Sequence, residues 1–546
     1  MNGLIMKKTM RRVASVLVAA HCIGAASAAE TIAIAGGGEL ALDKAGLRLT
    51  DAAGKTLATL PLRAKQLDLR AADGAGIAVV LDGETQHALL VRIDSRQGAL
   101  TRLAPLPSMA FGVDSLCLFR DRQGLDQLFI AGKDGQAEQW LLHGATARLL
   151  RKLSLPIDAE QCRVDDASHT LYVAEQGVGT WAYEADSEAM PARTLLKPGA
   201  RVRPGTRVKP AAATQVSTLP AVAASAPVAV VMARTQTDPV ARLGDVADDP
   251  AIWVHPGDPA RSRVLGTNKK QGLMVYDMQG REQQFLPSGR LNNVDLRQGV
   301  LLDGARVDLA VASERDGNTV VLYVIDEAGK VAEVQRFDSG FADIYGICLF
   351  QPRSGGLDVV VNDKSGAFRQ FALGRSAGAW TSRLAREFKV ASQPEGCVAD
   401  DRNERLFIGE EKRGVWTLAG RSDQPATLKP VLGVGKDLRA DVEGMALYAG
   451  QGGAYLVVSS QGDSSYVVLD AAAPYKVRGR FKVGFNLEAG IDGTADTDGL
   501  DVTSKNLGAA YPAGMLVIQD GYKRMPDGPQ NFKYVSWADV ANALGL

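Results

Sequence analysis

A chain of 546 residues exceeds what one hydrophobic core comfortably serves, so two domains are expected. Lysine plus arginine equals aspartate plus glutamate at 62 each, which removes any whole-chain argument for nucleic-acid binding and leaves charge effects to local clusters. Abundant glycine, 58 residues, with only 6% aromatics and few runs of 3.6-residue periodicity, favours an all-β chain over a helical one.

The first thirty residues, MNGLIMKKTMRRVASVLVAAHCIGAASAAE, read as a signal peptide. Lys7, Lys8, Arg11 and Arg12 precede an apolar run, and small residues near Ala28 and Ala29 suit cleavage; Met6 is an alternative start. Segment 1–29 is therefore assigned to export. No later run is apolar for long enough to cross a bilayer, so a soluble periplasmic or secreted protein without a membrane partner is expected. In that compartment cysteines pair, and the near-equal spacings of 45 and 49 suggest disulfides Cys117–Cys162 and Cys348–Cys397, against the alternative of four buried thiols.

Two long segments then match one another. Residues 113–183 and 345–418 share the order of strands, charged turns, cysteines and tryptophans, a duplication that implies stacked units. An Ala/Pro-rich linker at 209–224 separates a first domain, 30–208, from a second, 225–546, whose opening VAVVMA reads as a strand.

Within the second domain one pattern recurs about six times: an Asp, Asn or Glu near a turn, an apolar strand, a charged hairpin, another apolar strand. Its openings are DDPAIWV, NNVDLR, DIYGICLF, QPEGCVAD, DVEGMALY and DTDGLDVT. Six such units fit a six-bladed β-propeller, preceded by a partial, related propeller-like domain of about four units. A two-sheet sandwich is the structural alternative, but it leaves unexplained why polar residues recur at one point per unit.

In a propeller those openings surround the axis. Asp248, Asp249, Asn292, Glu395, Asp441, Glu443 and Asp496 would converge at one end, joined from strand ends by Lys269, Lys270, Arg315, Lys364, Glu411, Gln461, Gln519 and Asp520. So many carboxylates in one place repel unless cations compensate. Oxygen-only donors point to calcium; magnesium demands a tighter octahedron, and zinc is disfavoured because His255 is the single histidine of this domain. Taken one at a time, each of these residues is more readily a turn cap or surface charge; the recurrence carries the argument.

The runs DVADDPAIWVHP, TNKKQGLMVY, LNNVDLR, SQPEGCVAD, ADVEGMALY, SSQGDSSYVVLD and GTADTDGLDV resemble, in order across residues 238–546, those of the β-propeller or alkaline phytases. The whole chain is similar to the tandem form of that family, with an incomplete propeller domain in front. The resemblance implies hydrolysis of phytate, the hexakisphosphate of myo-inositol, by metal-activated water with several calcium ions, in a monomer acting on the calcium complex. It assigns Asp248, Asp249, Asn292, Glu395, Glu411, Asp441, Glu443, Gln461 and Asp496 to the calcium ligands or their surroundings. Lys269, Lys270, Arg315, Tyr345 and Lys364 are matched to positions contacting substrate phosphates, with Glu395, Glu411, Lys269 and Arg315 at the chemistry. Gln519 and Asp520 correspond to a calcium site elsewhere in the propeller. One departure is visible: Ser365 follows Lys364 where the family pattern has a glutamate. A propeller lactonase or a non-catalytic polyphosphate binder would share the fold, but the surplus of lysine and arginine at the mouth disfavours the lactonase, and absence of phosphate release would favour the binder.

Overall fold

The computed structural model describes residues 30–198 and 228–546, apart from 35–36, 73, 105, 144–145, 158, 176–177, 189–192, 377 and 451–452. The expected signal peptide and linker lie outside the described residues. Short runs such as Leu357–Asp363, LDVVVND, are almost wholly buried, because β-branched side chains pack well on both faces of a pleated strand. Outer strands such as Val331–Asp338, VAEVQRFD, are mostly exposed and charged, which discourages edge-to-edge association. This gradient from apolar to polar produces repeated four-stranded antiparallel sheets.

Four such sheets form the first part of the chain, beginning with strands Glu30–Ala33, Ala64–Ala72, Val113–Arg120 and Ala159–Asp165. Their first strands touch in a row. In the second part, four further sheets begin with Ala247–Trp253, Leu291–Leu302, Ile344–Phe350 and Pro394–Asp400. An eight-stranded sheet completes it, with Val442–Gly450 at one edge and Leu500–Thr503 at the other. Strand Ala229–Gln236, the anticipated VAVVMA strand, lies in the middle of that sheet, parallel to Val477–Gly484 and antiparallel to Asn531–Ser536. The strands beginning the units of the second part contact one another in cyclic order, and Leu500–Thr503 returns to Ala247–Trp253.

Hydrophobic clusters fill the spaces between neighbouring sheets. Leu309, Val311 and Leu322 pack against Ile347, Leu349 and Val359, for example. Each fully buried large side chain of this kind, Trp253 and Phe407 among them, contributes about 1.5–3 kcal/mol. Both anticipated disulfides are present, with Cα separations of 5.9 Å for Cys117–Cys162 and 5.7 Å for Cys348–Cys397. Each joins the first strands of adjacent sheets.

Matching polar networks accompany the matching segments. Asp68 accepts from the Leu118 amide at 2.8 Å while Arg70 binds Asp166 at 2.7 Å. Asp295 likewise accepts from Leu349 at 2.8 Å while Arg297 binds Asp401 at 2.7 Å. Buried charge needs such pairing to be tolerated. Among the described residues no helix is long and apolar enough to cross a membrane.

Candidate functional site

Each of five consecutive first strands in the second part begins with an irregularity. Between Ala247 and Pro250, Leu291 and Val294, Ile344 and Ile347, Pro394 and Cys397, and Val442 and Met445, two residues face one on the neighbouring strand. Those bulges carry Asp248–Asp249, Asn292–Asn293, Tyr345–Gly346, Glu395–Gly396 and Glu443–Gly444. A bulge re-aims side chains out of the sheet's alternation, so five units direct their polar residue to one end of the ring. Glycine in the second position lets the strands close in: a Cβ on Gly396 would lie 2.3 Å from the carbonyl oxygen of Glu443.

Glu395, Glu411 and Glu443 are all buried, and one carboxylate oxygen of each lies within 4.8 Å of the others. Asn292 donates to Glu395 at 2.6 Å, and Gln393 donates to Glu411 at 2.6 Å. Burial works against a charged Glu395, but hydrogen bonds from Glu443, Tyr345 and Asn292, with the charge of Lys269, outweigh it and lower its pKa. Glu443 is driven the other way, well above the usual range, by burial and by the Glu395 charge, so the two share a proton. Burial, then Glu395, push Glu411 up to about 8. Asp248 is 1% exposed and makes no hydrogen bond through either oxygen; its nearest cation is Lys269, at 3.7 Å. Asp249 is also buried, with one oxygen accepting from the Val294 amide at 3.3 Å, and its pKa is raised well above normal chiefly by burial.

Cations flank the acids. The Lys269 ammonium bonds Asp498 at 2.7 Å and Asp245 at 2.9 Å. Arg315 donates to Asn292 at 3.2 Å, and its guanidinium lies 5.7 Å from the centre of the Tyr345 ring, with the Lys364 ammonium 4.6 Å from the same centre. Neither Arg315 nor Lys364 has a carboxylate at ion-pair distance among the described residues. Burial and the nearby Arg315 lower the pKa of Lys364, as expected for cations held together without a counter-ion. Ser365, at the departure noted above, donates to Asp363 at 2.7 Å and so closes its own turn.

Other anticipated residues are placed differently. Gln461 reaches the cluster through Asp498, to which it donates at 2.7 Å, and Asp441 pairs with Lys412 at 2.6 Å. The Lys270 ammonium donates to the carbonyl of Leu243 at 2.7 Å and that of Glu84 at 3.4 Å, turning toward the first part of the chain. Asp496 pairs with Lys133, also of the first part, at 3.3 Å. Gln519 braces backbone, accepting from the Asp498 amide at 2.9 Å and donating to Ala247 at 3.2 Å. Asp520 lies 3.0 Å from the fully buried Lys533 ammonium, which also bonds Asp492 at 2.7 Å and Asn531 at 3.1 Å. A lysine therefore fills that oxygen cage.

Asp498, Asp245, Gln393 and Arg290 belong to this neighbourhood and were missed by the sequence reading. Asp498 is 8% exposed, and burial with Asp245 nearby raises its pKa to about 7 despite Lys269. Its signal is Asp498–Gly499, an acid–glycine pair like Glu395–Gly396 and Glu443–Gly444.

The donors fit a hard divalent cation. They are oxygens, several carboxylates converge, and the Asp248 oxygens and Glu443 Oε2 are buried without a hydrogen bond, an arrangement that costs several kcal/mol without a compensating charge.

The phytase family model matches residues 205–546. A 3-phytase of Bacillus subtilis (strain 168) is 40% identical over 331 residues, an alignment covering 58% of this chain and 85% of that protein.

Proposed function

Because this chain belongs to the phytase family and is a phosphoric monoester hydrolase of that kind, we propose that it is a calcium-dependent enzyme that releases phosphate from myo-inositol hexakisphosphate. The observation that carries the reading is a buried carboxylate cluster lacking enough protein cations, beside an arginine and a lysine lacking carboxylates. The first set calls for metal and the second for phosphate. In this reading the second part is a six-bladed propeller, closed by Ala229–Gln236, and the first an incomplete duplicate of it. Export after removal of residues 1–29, a monomeric state and the calcium–phytate complex as substrate belong to the same proposal.

Glu395, Glu411, Glu443, Asp248 and Asp249 would hold calcium, with Asn292 and Gln393 orienting Glu395 and Glu411. When bound, calcium supplies the positive charge that activates water and offsets charge on phosphoryl oxygens. Arg315 and Lys364 grip the phosphoryl oxygens, the guanidinium in fork geometry, and the Tyr345 ring fixes both cations from below. Tyr345 donates to Glu395, so the ring is fixed by the acid cluster in turn. Lys269, held between Asp245 and Asp498, is a positioning cation for the acids. In the metal-free protein, protons on Glu443 and Glu411 relieve the repulsion that the ions relieve in the loaded one.

The test is phosphate release from phytate by the full chain as calcium is added after chelation, with Glu411→Gln beside it. Release that rises with calcium and falls about a hundredfold or more in Glu411→Gln is expected, a loss typical of a group supporting transition-state charge. Undiminished release from Glu411→Gln would remove its assigned role.

A further inference from the structure

The bulges that carry the site residues are held from behind by one position per unit. Each first strand of the second part pairs with a strand whose last residue but one is buried at the mouth. These residues are Thr267, Ser313, Asn362, Gly409, Ser459 and Gln519. Apart from the glycine, all are polar and wholly shut off from solvent.

Most of these side chains reach forward to the next unit. Ser313 accepts from the Asn293 amide at 3.2 Å and donates to the carbonyl of Tyr345. Asn362 accepts from the Gly346 amide at 2.9 Å and donates to the carbonyl of Glu395 at 3.1 Å. Ser459 donates at 2.9 Å to the carbonyl of Thr497, the residue before Asp498. Gln519, bonded to the Asp498 amide and the Ala247 carbonyl, links in the same way to the residue before Asp248. Thr267 keeps both of its bonds at its own bulge, with the Asp249 amide at 2.9 Å and the Asp249 carbonyl at 3.2 Å. Gly409 is the exception, and there the Glu443 carbonyl lies against Gly396 instead.

A short side chain with both a donor and an acceptor satisfies backbone groups that a bulge removes from the ladder. Folding of such sheets does not call for it, however. The first part of the chain has Leu42, Leu81, Ala131 and Ala174 at the matching positions of its second strands. Polar side chains occupy this position only in the part that carries the acid cluster. We propose that Ser313, Asn362 and Gln519 are positioning residues, each fixing a site residue of one unit to the bulge of the unit before it. Ser313 sets Tyr345, whose ring lies under the Arg315 and Lys364 cations. Asn362 sets Glu395, and Gln519 sets the approach to Asp248. Their effect on metal binding rests on the calcium reading of the acid cluster; their effect on geometry does not.

The test compares wild-type full chain with Ser313→Ala, Ser313→Thr and Asn362→Leu, by calorimetric calcium titration and by crystal structures of the metal-free proteins. Ser262→Ala is the control, because Ser262 is equally buried and accepts from the His255 amide at 3.1 Å, but at the far end of its sheet. Ser313→Ala and Asn362→Leu are expected to weaken the calcium Kd by about tenfold or more at a temperature where every variant is folded. Ser313→Thr keeps the hydroxyl, as Thr267 does in its own unit, and restores binding, while Ser262→Ala binds as wild type does. In the Ser313→Ala structure Tyr345 is displaced from beneath the two cations. A wild-type Kd in both Ser313→Ala and Asn362→Leu, an equal loss in Ser262→Ala, or an unmoved Tyr345 overturns the proposal. Failure of wild type to bind calcium overturns the calcium reading instead, and the position of Tyr345 still decides whether Ser313 holds it.

Discussion

The protonation of a few buried carboxylates makes the stability of the metal-free protein depend on pH. Glu411 is held near 8 by burial and the Glu395 charge, and Asp498 near 7 by burial and Asp245. Both lie above the ordinary values for these side chains, 4.5 and 3.8, so the folded metal-free protein binds protons that the unfolded chain releases. Their stabilising contribution is complete below those lower values and disappears as pH rises through 7 and 8. Glu395, whose pKa is lowered, acts in the opposite sense but at pH values below the ordinary glutamate value of 4.5, outside this window. Chelated protein is therefore expected to lose melting temperature between about pH 5 and 8, and calcium to reverse the trend, because its ligands must be deprotonated. Calorimetric melts across that range in chelator and in calcium measure it. A metal-free melting temperature that is flat or rising would show that these groups do not hold protons.

At the scale of the strand, the bulge and its glycine make the convergence possible. Alanine at Gly396 would bring its Cβ against the Glu443 carbonyl, a backbone atom that cannot turn aside. Gly396→Ala is expected to cost at least about 2 kcal/mol and to impair activity, as overpacking between fixed strands does. Gly435, with no atom nearer than 4.0 Å to an added Cβ, is the control, and Gly435→Ala should melt like wild type. Equal melts for the two variants would mean that close strand approach is not what the glycine permits. The same geometry shows what a sequence can disclose. Glu395–Gly396 and Glu443–Gly444 were legible as a repeat, and the strand period was legible in runs such as LDVVVND. In DTDG, however, two acids stand one residue apart, and only the register shows Asp498 at the cluster and Asp496 turned to Lys133. Lys533 filling the space beside Asp520 was hidden for a related reason, because strand pairing brings together residues from separate strands.

For the whole molecule, closure and enclosure are separate matters. Strand Ala229–Gln236 lies between Val477–Gly484 and Asn531–Ser536, so the beginning and end of the second part are locked into one sheet. The ring thereby hides edges that would otherwise be open to pairing. The first part has its own row of sheets, disulfide and polar network, and it approaches the mouth through Lys65, Lys133 and the Lys270–Glu84 contact. None of these contacts was foreseeable from spacing, since they join positions separated by 186 residues or more, as Lys270 and Glu84 are. They bring residues of the first part and of the second together around one recess.

The proposed function depends on acids drawn from many sheets meeting to hold a divalent cation. Its most direct test is a calorimetric titration of calcium into the chelated full chain, comparing wild type with Glu443→Gln. Saturable binding by wild type is expected, lost or weakened by about tenfold or more in the variant. Equal calcium binding by the two proteins, with both folded, would contradict it.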